Sequence, residues 1–201
     1  MIAIIDYGVG NLFSLHASFK KIGADTVVTA DPYIIMNADR IVLPGVGAFG
    51  DAAEKLRSTG LADVVRSVAS EGKQLMGICL GMQLLFDYGT EFGRHKGLGL
   101  IKGNVVSMRA CIPDTLKLPQ IGWNALDIKK SCKLFQYINN GDFVYFVHSF
   151  HAVECDESLV ATTEYGAQIT AAVAKDNIFG CQFHPEKSGE TGLNILRGFL
   201  T

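Results

Sequence analysis

Apolar residues are arranged along this chain in two textures. In the first half, short all-apolar runs alternate with stretches of helical spacing. Ile2 to Ile5 is such a run, as expected for a strand buried on both faces. Gly8, Gly10 and Asn11 break it, and Leu12, Leu15, Phe19 and Ile22 then recur on one helical face, with Gly23 placed as the stop. Residues 26–29 and 40–43 predict a second and a third strand, the latter closed by Pro44-Gly45-Val46-Gly47. Helical spacing covers about residues 50–57 and 61–70. Residues 74–78 then predict a strand and residues 80–88 a helix. The order β-α-β-β-α-β-α argues for a largely parallel sheet with helices on its faces.

The second half changes character. Residues 105–108, 143–150, 159–163 and 169–174 read as strands at short spacing, which predicts an antiparallel extension of the same domain. Residues 178–183 form a last strand. A final helix begins near Ser188, placed as its N-cap, and turns Leu193, Leu196 and Phe199 inward. The fold class expected is α/β with a mixed, mostly parallel sheet, built as a single domain over residues 1–201. No repeat, low-complexity segment or Pro/Ser-rich linker interrupts it.

Composition narrows the classes. With 201 residues, 48% hydrophobic and 19% charged, the chain can bury about 70% of its unfolded surface and needs no disulfide or metal to fold. A formal net charge of −2 offers no footprint for nucleic acid or an anionic membrane. No apolar run approaches the ~20 residues a bilayer span requires. The start, MIAIIDYGVGN, reads as a strand and not as a signal peptide. The five cysteines, at 79, 111, 132, 155 and 181, lack zinc-site or C-x-x-C spacing, so reduced thiols in a cytoplasmic protein are expected.

The chemistry concentrates in three places. In Gly77-Ile78-Cys79-Leu80-Gly81 a strand runs through Gly-x-Cys-x-Gly into a helix, a nucleophile-elbow pattern with Cys in place of Ser. The flanking glycines leave room for the sharp turn. The helix N-terminus favours thiolate, and the Leu80 N–H can face a developing oxyanion. A buried structural cysteine would satisfy the same pattern about as well. Among His16, His95, His148, His151 and His184, the last ends its strand at the sheet edge where Cys79 sits, with Pro185 stopping the chain and Glu186 able to orient the ring. His148 and His151 flank Ser149-Phe150, so one of them is expected to line a site. The Pro44–Gly47 turn offers backbone N–H groups at the same edge, as a second oxyanion donor or a carboxylate cradle. Asp6 to Asn11 resembles half a dinucleotide fingerprint, but Phe13 stands where the third glycine is needed and Asp31 is a poor acid, so no nucleotide site is expected.

Residues 77–83, 44–47 and His184-Pro185-Glu186 together resemble class I, triad-type glutamine amidotransferases. Residues 6–11, 119–124, 145–149 and 184–188 further resemble the glutaminase subunits of imidazole glycerol phosphate synthase. The resemblance implies a flavodoxin-like three-layer sandwich that hydrolyses L-glutamine to glutamate and ammonia with Cys79, His184 and Glu186, and without cofactor or metal. It implies an oxyanion and substrate site from Gly45, Val46, Gly47, Leu80, Gln83, Glu91, Ser149 and Phe150. Phe150 replaces the family's usual Tyr, so contacts there should run through the backbone. It also implies a heterodimer with a (β/α)8-barrel cyclase. That partner receives ammonia through a channel, with Asn11, Trp123, Tyr145 and Lys187 at the interface, and makes imidazole glycerol phosphate and AICAR. The alternatives are a glutaminase subunit of another synthase, such as that of pyridoxal phosphate, a cysteine hydrolase of similar fold, or a non-catalytic regulatory module.

Overall fold

The computed structural model describes all residues, 1–201. In chain order the elements are β1 (Ile2–Ile5), α1 (Leu12–Lys21), β2 (Thr26–Thr29), α2 (Pro32–Asn37), β3 (Arg40–Leu43), α3 (Phe49–Ser58), α4 (Leu61–Ser70), β4 (Gln74–Ile78) and α5 (Leu80–Leu84). The short strands β5 (Tyr88–Gly89), β6 (His95–Lys96) and β7 (Asn104–Ser107) follow, then β8 (Gln120–Ala125), β9 (Asp127–Ile128), β10 (Phe143–His148) and β11 (Phe150–Val153). The chain ends with β12 (Leu159–Glu164), β13 (Gln168–Lys175), β14 (Ile178–Cys181) and α6 (Gly189–Leu200).

An eight-stranded sheet runs β2-β1-β3-β4-β14-β13-β12-β9. Its first five strands are parallel, in the strand order of a flavodoxin-like doubly wound sheet. The other three are antiparallel, the extension the second half predicts. Alternation along each strand feeds two cores. Ala3, Ile5, Ile41, Leu43 and Leu75 pack with α2, α3 and α4, while Ile2, Ile4, Val42, Met76 and Ile78 pack with α1 and α6. Two smaller sheets, β10-β8 and β11-β7-β5-β6, lie beside the main one. No helix is long and apolar enough to cross a membrane.

Several expected elements come out differently. The helix α2 falls where the apolar pattern predicts no element; its Asp31 caps the Tyr33 N–H at 2.8 Å and Pro32 takes the first turn, an Asp-Pro start signal present in the sequence. Asp31 is therefore a helix cap. The helix expected over residues 80–88 stops at Leu84, because the 98–101 segment takes the carbonyls of Leu84 and Leu85. Residues 143–150 are not one strand. The chain breaks at Ser149, where β10 leaves β8 and β11 joins β7 in another sheet. Met108 turns out of β7 into a short 3-10 turn. The last strand ends at Cys181, not at residue 183. Ser188 precedes α6 without capping it. Its hydroxyl donates to the His184 carbonyl (2.7 Å) and accepts from the Tyr145 N–H (2.9 Å), tying the turn after β14 to β10.

Candidate active site

The strand β4 ends at Ile78 and α5 starts at Leu80, so Cys79 alone makes the turn. It takes φ +53°, ψ −111°, a backbone conformation that costs an L-residue about 1–3 kcal/mol. The glycines around it make the turn possible. A Cβ on Gly81 would overlap the Leu43 carbonyl oxygen, one on Gly77 would sit 2.7 Å from the Gly81 backbone, and one on Gly45 would meet the Gly81 nitrogen and the Tyr7 hydroxyl at 2.8 Å. Backbone thus packs on backbone where β3, its following loop and the elbow meet. The Leu80 N–H, first in α5, has no intrahelical partner.

His184 is buried beside this turn. Its Nδ1 lies 2.8 Å from Glu186 Oε1, and its Nε2 has no other partner than the Cys79 side it faces. The two side chains are only 4% and 3% exposed. Burial by itself lowers the imidazole; hydrogen bonds to Cys79 and Glu186, with their charges, outweigh that and hold it up at about 10. Nearby, burial and then the Cys79 charge push the Tyr7 phenol well above its usual range. Tyr7 is buried and donates to the Pro44 carbonyl at 2.8 Å, so the Asp6–Asn11 loop buttresses the Pro44–Gly47 loop. That role was not visible in its half-fingerprint.

Cys79 and His184 open into a cleft of about 340 Å³. Of the residues singled out in the sequence, Val46, Gly47, Leu80, Gln83, Glu91, Ser149 and Phe150 line it. Gly45 lies beneath, packed on the elbow. Gly47 sits at φ +96° with open space around its Cβ position. Glu91 Oε2 accepts the Phe49 N–H at 2.9 Å, so one of its oxygens serves the start of α3. Phe150 takes part through its backbone. Its carbonyl accepts from Gln83 Nε2 (3.1 Å) and from His148 Nδ1 (2.9 Å).

Two further lining residues, Pro119 and Val147, carry no site signal in the sequence. His148 is the one of the flanking pair that reaches the cleft. His151 is buried in β11, its Nε2 3.5 Å from Cys111 Sγ. The His148 ring is held at about 4, chiefly by burial, against the Phe150 hydrogen bond and with help from His151 and His184. His16 bonds Thr26 Oγ1 at 2.7 Å, and His95 lies in β6 against Gly50. All five cysteines are free, and burial raises the thiols of Cys111, Cys132, Cys155 and Cys181. A second cavity of about 400 Å³ lies at the opposite sheet edge, where acidic residues 154, 156, 157 and 176 mix with Lys102 and Lys175, far from the elbow.

Beside the cleft the β8–β10 ribbon has one buried and one open face. Tyr145 pairs with Trp123 and Val147 with Ile121, and these four share the open face. Trp123 is 52% exposed, so it is not a core residue. It meets Tyr145 edge-on at 6.1 Å, and Lys187 Nζ lies 5.7 Å from the Tyr145 ring. Asn11 is half-buried at the start of α1, and α1 packs on the Pro185–Lys187 turn. The His184 N–H donates to the Tyr145 carbonyl at 2.9 Å, so this patch adjoins the histidine directly.

A nucleophile elbow, a carboxylate-oriented histidine and a glycine loop at the carboxyl edge of a doubly wound sheet describe a class. The family model for class-I glutamine amidotransferases matches residues 3–201, and the chain belongs to that family. Curated relatives include the imidazole glycerol phosphate synthase subunit HisH of Caldanaerobacter subterraneus subsp. tengcongensis. It is 50% identical over 200 residues, covering 99% of this chain and 97% of its own. The protein of the same name from Sulfurimonas denitrificans is 49% identical over 202 residues, covering 99% and 97%. Among solved structures, a glutamine amidotransferase superposes with a TM-score of 0.78 at 17% identity, covering 100% of this chain and 97% of that one. A chain of the Thermotoga maritima PurLQS structure gives 0.75 at 21%, covering 99% and 96%. These structures share the fold.

Proposed function

We propose that this chain is the glutaminase subunit of an imidazole glycerol phosphate synthase, hydrolysing L-glutamine to glutamate and ammonia for histidine biosynthesis. The observation that carries the reading is the buried His184 ring, bonded to Glu186 on one nitrogen and turned to Cys79 with the other.

The Cys79 thiolate attacks the side-chain amide carbon. The negative oxygen that forms is held by the Leu80 N–H and by the Val46–Gly47 peptide of the loop, each donor worth roughly 3 kcal/mol in the transition state. As the C–N bond breaks, His184 gives its proton to the leaving ammonia. The sulfur is then a thioester and carries no charge. One of the causes that hold the imidazole high is thereby removed, and His184 becomes a base able to take a proton from water. That water attacks the thioester, the C–S bond breaks, and glutamate leaves with the thiolate and imidazolium restored. Glu186 fixes the tautomer throughout. Gln83, Glu91, Ser149 and Phe150 hold the amino-acid end.

We read residues 1–201 as one amidotransferase domain in a cytoplasmic heterodimer, a setting that the five unpaired cysteines support. The open patch of Trp123, Tyr145 and Lys187, with Asn11 nearby, is its face for a (β/α)8-barrel cyclase, to which ammonia passes without release. Its contiguity with His184 supports this. The open space at Gly47 supports an oxyanion loop that the partner completes. The test is ammonia release from glutamine by the chain alone, with the barrel subunit, and with that subunit's nucleotide ligand. Release should rise strongly with both additions and vanish in Cys79→Ala. Equal rates in all three would refute the partner-dependent reading.

A further inference from the structure

One side chain in contact with the reacting sulfur has no part in the mechanism above. Gln182 follows β14, is fully buried, and places Nε2 3.7 Å from Cys79 Sγ. Its other end accepts from Gln83 Nε2 at 2.9 Å, and the same Gln83 nitrogen donates to the Phe150 carbonyl at 3.1 Å. The direction of this series is set at the Phe150 end. A backbone carbonyl can only accept, so it must face the Gln83 NH2 group. That group then faces the Gln182 oxygen, which leaves the Gln182 NH2 pointing at the sulfur. Turning either amide over would set two acceptors or two donors against each other around a fully buried side chain, which is costly.

We propose that Gln182 is a positioning residue for the nucleophile: its amide N–H donates to the Cys79 sulfur, stabilising the thiolate and setting the direction of attack. Gln83 carries that orientation from the wall of the glutamine cleft. The inference rests on the reading of Cys79 as nucleophile, and it gives Gln83 a second task. With both its hydrogens in use, Gln83 offers substrate only its oxygen, an acceptor suited to an α-ammonium group. The groups that titrate around the sulfur are His184 and Glu186 on the turn after β14, Cys181 within it, and Tyr7 after β1; substitution at 182 leaves all of them in place.

The experiment is the rate of Cys79 alkylation by iodoacetamide as a function of pH, read by mass spectrometry on the full chain, with kcat and KM measured in the presence of the barrel subunit. In Gln182→Leu the alkylation profile should move up by about one pH unit, the loss of one hydrogen bond to a charged group. It should move further in Gln182→Glu, which matches the native shape but turns an acceptor to the sulfur. In both, kcat falls about tenfold with KM nearly unchanged. Gln83→Leu frees Gln182 to turn, so it shifts the profile the same way while raising KM, and it decides the matter if neither variant at 182 folds. A folded variant whose profile coincides with that of the native chain overturns the proposal. Glutaminase activity surviving in Cys79→Ala would instead overturn the nucleophile reading, a separate outcome.

Discussion

Two glycine turns meet at the cleft, and they are built on opposite principles. At the elbow, Gly77, Gly81 and Gly45 are there because backbone fills the space a Cβ would need. At the tip of the Pro44–Gly47 loop, Gly47 has nothing around it and is there for its φ of +96°. One motif, Pro-Gly-Val-Gly, therefore holds both kinds of glycine two residues apart. Gly45 packs the loop base on the Cys79 elbow, and Gly47 gives the loop tip a left-handed turn that faces open space. The lesson is a division of labour. Cys79, His184 and Glu186 sit in close packing, while the tip of the Pro44–Gly47 loop has open space beside it.

The sharpest break in that comparison is at Cys79 itself. Cys79→Ala should lower glutamine hydrolysis by about 10⁴-fold or more. Cys79→Gly should be as inactive yet more stable than the native chain by about 1–2 kcal/mol, since only glycine relieves a φ of +53°. Urea unfolding measures it, and a destabilised Cys79→Gly would show that the elbow carries no strain. Next in size, Gly81→Ala should cost at least about 3 kcal/mol or prevent folding, because the new methyl group overlaps the fixed Leu43 carbonyl. Gly47→Ala should cost only about 1 kcal/mol of stability while reducing partner-stimulated glutaminase activity by about 10- to 100-fold. Equal stability losses at the two positions would erase the distinction between packed base and free tip.

The two cleft histidines sharpen the same contrast through pH. His184 is raised to about 10, so its contribution is present below about 6.5, the unfolded value, and is lost as pH rises through 10. His148 is lowered to about 4, so its contribution is present above about 6.5 and is lost as pH falls through 4. The stability lost as pH falls across that range is about 3 kcal/mol. Thermal melting from pH 7 to 4 should therefore show a fall that His148→Phe makes shallower. An unchanged slope would mean that His148 is not held neutral. The smallest effect on stability is expected on the open ribbon. Trp123→Ala should change folding stability by under about 0.5 kcal/mol, as exposed substitutions do. It should weaken binding of the barrel subunit by about tenfold or more, read by titration calorimetry.

Much of this was legible in residue order, because its causes are local. Strand β1 is an all-apolar run, and β3 and β4 are apolar after their first residues, Arg40 and Gln74; burial on both faces demands such a pattern. Gly-x-Cys-x-Gly marks a turn that no bulkier sequence can make. Glu186 lies two residues from His184 with Pro185 between, so their pairing needs little beyond the chain itself. Phe150 contributing through its carbonyl follows from its lacking a hydroxyl. Asp31-Pro32 could have revealed α2, since the cap and the first-turn proline are adjacent in sequence.

Other features have causes distant in sequence. Residues 143–150 are uniformly strand-like, and only the choice of β8 and β7 as separate partners breaks them at Ser149. The helix after Cys79 is short because residues 98–101 capture its last carbonyls. Gln182 reaches the sulfur only because β14 lies beside β4 in the sheet, 103 residues along the chain from the cysteine it serves. The identity of the chemical groups and the turns that present them were determined by the sequence alone, through side-chain size and backbone freedom. Which groups face one another across the cleft, and in which orientation their hydrogen bonds run, was decided by the tertiary structure. A buried amide takes its direction from the fixed carbonyl it must satisfy, and sequence order does not record where that carbonyl will be.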